Sequence, residues 1–216
     1  LAMASKPDFD PNRYYEIKSF EKFKNPLIQN IYEFGSVIKP LTIAAALDDG
    51  AVTEKTAYFD RGFVKIGSYE IKNFDEKGRG EADIQRILNE SLNTGAVFVQ
   101  QKLGQKKFYQ YFKNYGLKDK TGIDLKYERE GDLANLEKGK EIEYATASFG
   151  QGIAFTPLAL ARAVSALANG GYLIKPYVAE KIARNGLPDK NLKPNINPEE
   201  NRVLKKETSE EITKIL

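Results

Sequence analysis

Two serine–lysine pairs with the spacing S-x-x-K could supply a nucleophile and a base. One pair is Ser19 and Lys22, in the charged stretch SFEK, and the other is Ser36 and Lys39, in YEFGSVIKPLTIAAALDDG, residues 32–50. A serine hydroxyl is a poor nucleophile at neutral pH and needs an adjacent base, and a lysine can be that base only when it is uncharged. Because the composition alone yields about one chance match to this spacing, the surroundings must decide between the pairs.

The surroundings favour Ser36 and Lys39. Residues 36–47 are apolar nearly all round, which predicts a helix in the protein interior with Gly50 as its terminating residue. Such a helix places Lys39 one turn from Ser36, where burial and the positive end of the helix dipole both disfavour an ammonium group. The backbone N–H of Ser36 would be available to an oxyanion. The alternative is that Ser36 is a helix cap and Lys39 extends to solvent.

The amino-acid composition limits which catalytic groups the chain can use. The 216 residues include no cysteine and no histidine, which excludes cysteine nucleophiles, Ser-His-Asp triads and metal sites built from those ligands. Any acyl transfer must therefore use a lysine, a carboxylate or a tyrosine as its base, and no metal or other cofactor is implied. The net charge of +3 is too small to indicate nucleic acid binding.

A second polar element lies further along the chain. The stretch NESLNTGAVF places Ser91 and Asn93 in a break between two apolar segments, where a hydroxyl and an amide can project into one cleft. Taken alone, both residues would be interpreted as helix caps, since serine and asparagine prefer those positions. The combination of S-x-x-K with S-x-N is a known active-site signature, and it favours a catalytic role for both elements.

The remaining pattern predicts a mixed α+β fold. FVKIGSYEI predicts a hairpin around Gly67-Ser68, and apolar spacing predicts three helices between residue 84 and Gly116. Thr156 should cap a further helix that stops at Asn169-Gly170-Gly171. The charged stretch 118–143 is predicted to be an exposed excursion.

Both ends of the sequence also carry local patterns. LAMAS, residues 1–5, is predicted to be the end of a β-strand. KKETSEEITKIL is predicted to open a helix in which Thr208 and Glu211 have the spacing of a capping box.

Five stretches, in order, resemble the transpeptidase domain of penicillin-binding proteins of the class B, high-molecular-weight group. They are LAMASKPDFDPN, YEFGSVIKPLTIAAALDDG, SLNTGAVFVQQKLG, YGLKDKTGIDLKYE and ASFGQGIAFTPLALARAVSALANGG. The resemblance implies the α+β fold that these domains share with serine β-lactamases. It implies that residues 1–216 are one partial domain cut at both ends, with the helical part largely present and the C-terminal sheet strands outside this chain.

The family's third motif, K-[TS]-G, has a match at Lys120-Thr121-Gly122. This match precedes the FGQG stretch and lies in a segment that resembles the family's T-G-I-D-L loop, so we expect it to be incidental. The resemblance implies that the genuine third motif follows Leu216.

The resemblance also implies a function, a peptidoglycan D,D-transpeptidase that cross-links stem peptides ending in D-Ala-D-Ala. Ser36 would be the nucleophile, Lys39 its base, Ser91 a proton relay and Asn93 the group that binds the substrate's amide. β-Lactams would acylate Ser36. The implied location is the outer face of the bacterial cytoplasmic membrane, with an N-terminal anchor, and a membrane-embedded glycosyltransferase and other wall-synthesis proteins are the implied partners.

Two alternatives stay open from the residues. A D,D-carboxypeptidase or a serine β-lactamase would use the same groups but resolve the acyl-enzyme with water. A non-catalytic β-lactam sensor or wall-scaffold domain could keep the fold without turnover. The sequence does not distinguish a role in elongation from one in division.

Overall fold

Helices form most of the regular structure in the computed structural model, which describes residues 2–194 and 201–216. Short 3-10 helices span Pro11–Glu16, Phe20–Phe23 and Gly35–Ile38. The α-helices are α1 (Pro26–Gln29), α2 (Lys39–Asp49), α3 (Ile84–Asn89), α4 (Asn93–Leu103), α5 (Gln105–Asn114), α6 (Ala134–Glu137), α7 (Glu141–Ala147), α8 (Pro157–Ala168) and α9 (Lys206–Ile215).

The described strands pair two by two in antiparallel ribbons. They are β1 (Ala57–Asp60) with β4 (Gly80–Asp83), β2 (Phe63–Ile66) with β3 (Tyr69–Lys72), and β5 (Lys181–Arg184) with β6 (Leu187–Asn191). Ile66 faces Tyr69 across the second ribbon, so Gly67 and Ser68 form its two-residue turn, as the sequence predicted. Together with the helices, these ribbons confirm the mixed α+β class.

Helix α2 runs through the centre of the molecule and packs against α4, α8 and α9. Its residues from Leu41 to Asp48 are all buried, as expected for a helix that is apolar nearly all round. Gly50 ends the helix in the left-handed conformation (φ 76°), and its N–H donates hydrogen bonds to the carbonyls of Ala46 and Leu47. The predicted interior helix and its glycine stop are therefore confirmed.

The other predicted helix boundaries mostly hold. Helices α3, α4 and α5 occupy the three predicted apolar segments. The Thr156 hydroxyl caps α8 by accepting a hydrogen bond from the Ala159 N–H at 3.1 Å, and α8 ends directly before the Asn169-Gly170-Gly171 stop.

The prediction for residues 118–143 was wrong in part. This stretch contains α6 and the start of α7, and it buries Ile123, Leu133 and Leu136, which are 7%, 1% and 1% exposed. Its apolar residues are too few and too widely spaced to show helical or strand periodicity in the sequence, but in the folded chain they pack against the hydrophobic core. The charged residues that suggested an exposed segment therefore occupy only its solvent-facing side.

The predicted strand at the start of the chain is not formed by the described residues, whereas at the other end the predicted helix is confirmed as α9 and only its predicted cap was wrong. Residues 2–5 form no strand, and within the described ranges they have no backbone hydrogen bonds with which to build one. Helix α9 begins two residues before Thr208, which is buried at 4% exposure and is not its cap. Its start is fixed by Lys205, whose N–H donates to the Asp48 carboxylate at 2.7 Å.

The described helices include none with the length and hydropathy needed to cross a lipid bilayer.

Candidate active site

Ser36 lies on the 3-10 turn that leads into α2, where the sequence had predicted α-helix from residue 36 onward. Pro40 has no N–H with which to bond the Ser36 carbonyl in the α-helical pattern, and this carbonyl accepts from the Lys39 N–H instead. Because a 3-10 helix has three residues per turn, side chains at i and i+3 eclipse one another. The turn therefore aligns the Lys39 side chain with that of Ser36.

The amine of Lys39 joins the two serine motifs. Its Nζ lies 3.1 Å from Ser36 Oγ and 2.8 Å from Ser91 Oγ, and it also donates to the Ser91 carbonyl. Lys39 is 1% exposed, whereas both serines are exposed, so the amine lies beneath two hydroxyls that face solvent. Burial lowers the pKa of Lys39 from 10.5 to about 8. The site therefore holds an amine that is partly uncharged near neutral pH.

Ser91 presents both of its oxygens to that amine from a strained backbone. It occupies the left-handed region at φ 53°, in the link between α3 and α4. A left-handed conformation costs a residue with a Cβ roughly 1–2 kcal/mol. The link is fixed by the N–H of Leu92, which donates to the carbonyl of Ile87 at 2.9 Å. The strain falls on the residue whose carbonyl and hydroxyl both contact Lys39.

Asn93 is the first residue of α4 and lies on the wall of a groove. Its Nδ2 donates to the carbonyl of Lys72, at the end of β3, at 2.9 Å. The groove has a volume of about 490 Å³ and is also lined by Tyr69, Phe149 and Gln151. Among the described residues, Asn93 makes no hydrogen bond to the Ser36–Lys39–Ser91 group. The structure therefore joins the first three predicted residues directly, whereas the fourth, two positions after Ser91, lines a groove to which the other three do not contribute.

Gly150 of the FGQG stretch and the preceding Ser148 support the Ser36 turn and the helix that follows it, a role that was not predicted from the sequence. The N–H of Gly35 donates to the Gly150 carbonyl at 3.2 Å, and the Thr42 hydroxyl donates to the Ser148 carbonyl at 2.8 Å. Gly150 has φ 82°, and a Cβ on it would lie 2.2 Å from the Gly35 carbonyl oxygen. The paired glycines of FGQG were the available signal, because glycine marks positive φ or close backbone approach.

The two other motif matches lie in different surroundings. Ser19 and Lys22 are exposed, beside or on the 3-10 helix Phe20–Phe23, and the Ser19 side chain makes no capping hydrogen bond. Lys120 is exposed, and the backbone N–H of Thr121 donates to the carboxylate of Glu128 at 2.8 Å within a local loop. Neither match has the buried amine that characterises the Ser36 site.

Comparison with known proteins gives whole-chain matches. The family model for the penicillin binding protein transpeptidase domain matches residues 1–216. Stage V sporulation protein D of Bacillus subtilis (strain 168) is 34% identical over 213 residues, which cover 98% of this chain and 33% of that protein. A probable peptidoglycan D,D-transpeptidase FtsI of Caulobacter vibrioides is 31% identical over 216 residues, which cover 100% of this chain and 34% of that protein. The chain thus spans about a third of the length of the curated relatives it matches.

Solved structures show the same fold. The TP domain of penicillin-binding protein 3 from Burkholderia pseudomallei, in its apo form, aligns with a TM-score of 0.75 at 24% identity, covering 89% of this chain and 55% of that one. Penicillin-binding protein 3 from Mycobacterium tuberculosis, complexed with aztreonam, aligns with a TM-score of 0.80 at 22% identity, covering 89% and 42%. With the family model matched from the first residue to the last, this chain belongs to the penicillin-binding protein transpeptidase domain family.

Proposed function

We propose that this chain is the catalytic part of a peptidoglycan D,D-transpeptidase that uses Ser36 as its nucleophile. The observation that carries the proposal is the buried Lys39 amine, 3.1 Å from Ser36 Oγ and 2.8 Å from Ser91 Oγ. Family membership and the printed names of the relatives favour the same chemistry.

Acylation would begin with neutral Lys39 accepting the proton of the Ser36 hydroxyl. Ser36 Oγ then attacks the penultimate carbonyl of a stem peptide ending in D-Ala-D-Ala, and the negative charge develops on the carbonyl oxygen. The N–H of Ser36 lies at the start of its turn, where helical N–H groups have no intrahelical acceptor, so it can donate to this oxyanion. A positioned general base of this kind typically contributes about 10²–10⁴-fold to the rate.

Ser91 would return the proton to the leaving group. The Lys39 ammonium formed in the first step lies within hydrogen-bond distance of Ser91 Oγ, so Ser91 can accept a proton from it while donating its own to the departing nitrogen. D-Alanine then leaves as a neutral amine, and Ser36 carries the acyl group. In the second half of the reaction, an amine from a neighbouring stem peptide attacks the ester, and its proton returns along the same path to Ser36 Oγ.

Asn93 would hold the substrate's amide in the groove that it lines, since a side-chain amide can both donate and accept. We further propose that residues 1–216 form part of a larger transpeptidase domain. A lysine–threonine/serine–glycine triplet after Leu216 stays a prediction. So do an extracytoplasmic location with an N-terminal membrane anchor, and an association with a membrane-embedded glycosyltransferase.

Labelling of the intact protein with a fluorescent penicillin tests the nucleophile. Wild-type protein and a Ser19→Ala variant should both be labelled, because Ser19 is exposed and has no buried base beside it. A Ser36→Ala variant should not be labelled. Ser19→Ala is the matched control, since it removes the serine of the other S-x-x-K match. Label retained on Ser36→Ala would remove Ser36 from the mechanism.

The fate of the acyl-enzyme distinguishes the transpeptidase from its alternatives. With a stem pentapeptide and an amine acceptor, a transpeptidase releases D-alanine and forms a cross-linked product. A carboxypeptidase releases D-alanine and forms only the shortened peptide, and a β-lactamase loses the penicillin label within seconds. Absence of labelling in the wild-type protein would favour the scaffold alternative.

A further inference from the structure

We propose that Asp60, Asn73 and Thr94 form a positioning cluster that fixes Asn93 for substrate binding, an inference that rests on the proposed function. The three side chains are polar, but they are only 1%, 3% and 4% exposed. They come from β1, from the residue after β3 and from the first turn of α4. Their common position is directly behind the S-x-N motif.

The Asp60 carboxylate is the centre of the cluster. Its Oδ1 accepts from the Thr94 hydroxyl and from the Gly62 N–H, both at 2.8 Å. Its Oδ2 accepts from Asn73 Nδ2 at 2.8 Å and from the Arg79 N–H at 3.1 Å. Burying a carboxylate is costly unless its oxygens are hydrogen-bonded, and here four donors meet that need. Asp60 is thus held in place by four neutral donors, two on each carboxylate oxygen.

The cluster and the adjoining backbone hold two consecutive residues of α4. The carbonyl of Lys72 accepts from Asn93 Nδ2 at 2.9 Å, and the Asn73 carbonyl oxygen Oδ1 accepts from the Thr94 N–H at 3.3 Å. Two neighbouring residues at the end of β3 therefore bind two neighbouring residues at the start of α4. A shift of either pair would move the Asn93 side chain relative to the groove.

This contact also fixes which way the Asn93 amide points. Because a carbonyl can only accept, the nitrogen of Asn93 must face Lys72, and the amide cannot be turned over without losing that bond. Within the described part of the chain, Asn93 Oδ1 has no hydrogen-bond partner, and one Nδ2 hydrogen is unused. Asn93 therefore keeps one acceptor and one donor for an amide group of a ligand.

The hydrogen bonds of the cluster run in one direction. Tyr58 OH lies 3.0 Å from Thr94 Oγ1, and because the single Thr94 proton points to the nearer carboxylate of Asp60, the Tyr58 hydroxyl is the donor of this bond. Burial raises the pKa of Tyr58 to about 12, so this donor stays protonated. Thr94 then gives its single proton to Asp60 at 2.8 Å. Replacing Thr94 with valine keeps the shape but leaves the Tyr58 hydroxyl and one Asp60 oxygen without this partner.

Stability alone is a weak reason for this arrangement. Aspartate is unfavourable in strands, and an apolar group of similar volume in place of a buried charge is often neutral or stabilising. The cluster instead ties the start of α4 to the strands: Thr94 bonds both Asp60 and Asn73, and Asp60 is itself held by the Gly62 and Arg79 N–H groups. We therefore assign Asp60, Asn73 and Thr94 a positioning role through Asn93, without direct contact to the reacting atoms.

Acylation of the intact protein by two β-lactams tests this role. One ligand carries an acylamino side chain, whose amide Asn93 would bind, and the other lacks that amide. Thr94→Val should lower the second-order acylation rate by the amide-bearing ligand about tenfold, the loss expected for one displaced hydrogen bond, and change the rate with the other ligand by less than about twofold. Thr94→Ser, which restores the hydroxyl, should recover the wild-type ratio. If Thr94→Val does not fold, Asn73→Ala, which leaves the Thr94–Asp60 bond in place, should show the same ligand dependence.

A control separates positioning from general loss of stability. Tyr111→Phe also removes a hydroxyl-to-carboxylate hydrogen bond, at 2.7 Å to Asp48, but in the corner between α2 and α5. It should lower the melting temperature without altering the ratio of the two acylation rates. Equal losses with both ligands in Thr94→Val, or the same ratio change in Tyr111→Phe, would overturn the inference. Failure of both ligands to acylate the wild-type protein would instead overturn the proposed function and this inference with it.

Discussion

The rate of Ser36 acylation should depend on pH through the ionisation of Lys39, because only the neutral amine can accept the serine proton. Burial lowers the pKa of Lys39 from 10.5 to about 8. An amine with that pKa is neutral in about one molecule in a hundred at pH 6, about one in ten at pH 7 and half at pH 8. Acylation by a β-lactam should therefore rise about tenfold from pH 6 to 7, and less than twofold from pH 8 to 9.

The size of the effect follows from the depth of burial. At pH 7, an unperturbed lysine would be neutral in only about one molecule in 3,000, so the shift increases the reactive form about 300-fold. The difference of 2.5 pKa units corresponds to about 3 kcal/mol of preference for the neutral form. The side chain is 1% exposed, so solvent screening removes little of this preference.

The same shift predicts a pH-dependent stability. Since the folded pKa lies below the unfolded one, the unfolded chain binds more protons between about pH 8 and 10.5. Below pH 8 the folded state carries the full cost of a buried charge, and this cost disappears as pH rises to 10.5. Relative to a Lys39→Met variant, which cannot titrate, the wild-type protein should gain about 3 kcal/mol of unfolding free energy across that window.

Two measurements check this reasoning. Stopped-flow acylation of the intact protein from pH 6 to 9.5 gives the rate profile, and urea unfolding of wild type and Lys39→Met from pH 7 to 10.5 gives the stability difference. Other lysines and the tyrosines titrate equally in both proteins, so the difference reports on Lys39. A flat rate profile, a midpoint near 10.5, or full acylation of Lys39→Met would refute the assignment of the amine as base.

Two further predictions concern the backbone around Ser36, the proposed nucleophile. Pro40→Ala restores the N–H that an α-helix needs, so Ser36 should rotate by about 60° relative to the Lys39 amine. This angle is the difference between three residues of α-helix and a full 3-10 turn. Acylation should therefore fall at least tenfold, while the melting temperature should stay the same or rise. Gly150→Ala puts a Cβ 2.2 Å from the Gly35 carbonyl oxygen, so it should lower the free energy of unfolding by about 3 kcal/mol or more and abolish acylation. Gly139 has a similar φ of 74° but lies in open space, so Gly139→Ala should lower the free energy of unfolding by only about 1 kcal/mol and leave acylation intact. Equal thermal shifts in the two glycine variants would contradict the packing argument, and an unchanged rate in Pro40→Ala would contradict the alignment argument.

Features that depend on near neighbours in the chain could be predicted from the amino-acid pattern. The apolar residues 36–47 predicted the central helix, and Gly50 its end, because periodicity and left-handed propensity act within a few positions. The absence of cysteine and histidine left lysine, a carboxylate or tyrosine as the base, and the S-x-x-K and S-x-N spacing indicated Lys39. The 3-10 turn was also predictable from Pro40, which lacks the N–H that an α-helix beginning at Ser36 would need.

The surroundings of those residues, by contrast, depend on contacts between distant parts of the chain. Lys39 and Ser91 are 52 positions apart, and only the packing of α2 against the start of α4 brings the amine to 2.8 Å from the second hydroxyl. The Gly150 support and the Asp60 cluster likewise join segments that are distant in the chain. A lysine's pKa, and a hydroxyl's reactivity beside it, depend on how much water and which dipoles lie within a few ångströms. Those neighbours are set by long-range contacts, which local spacing in the sequence does not encode.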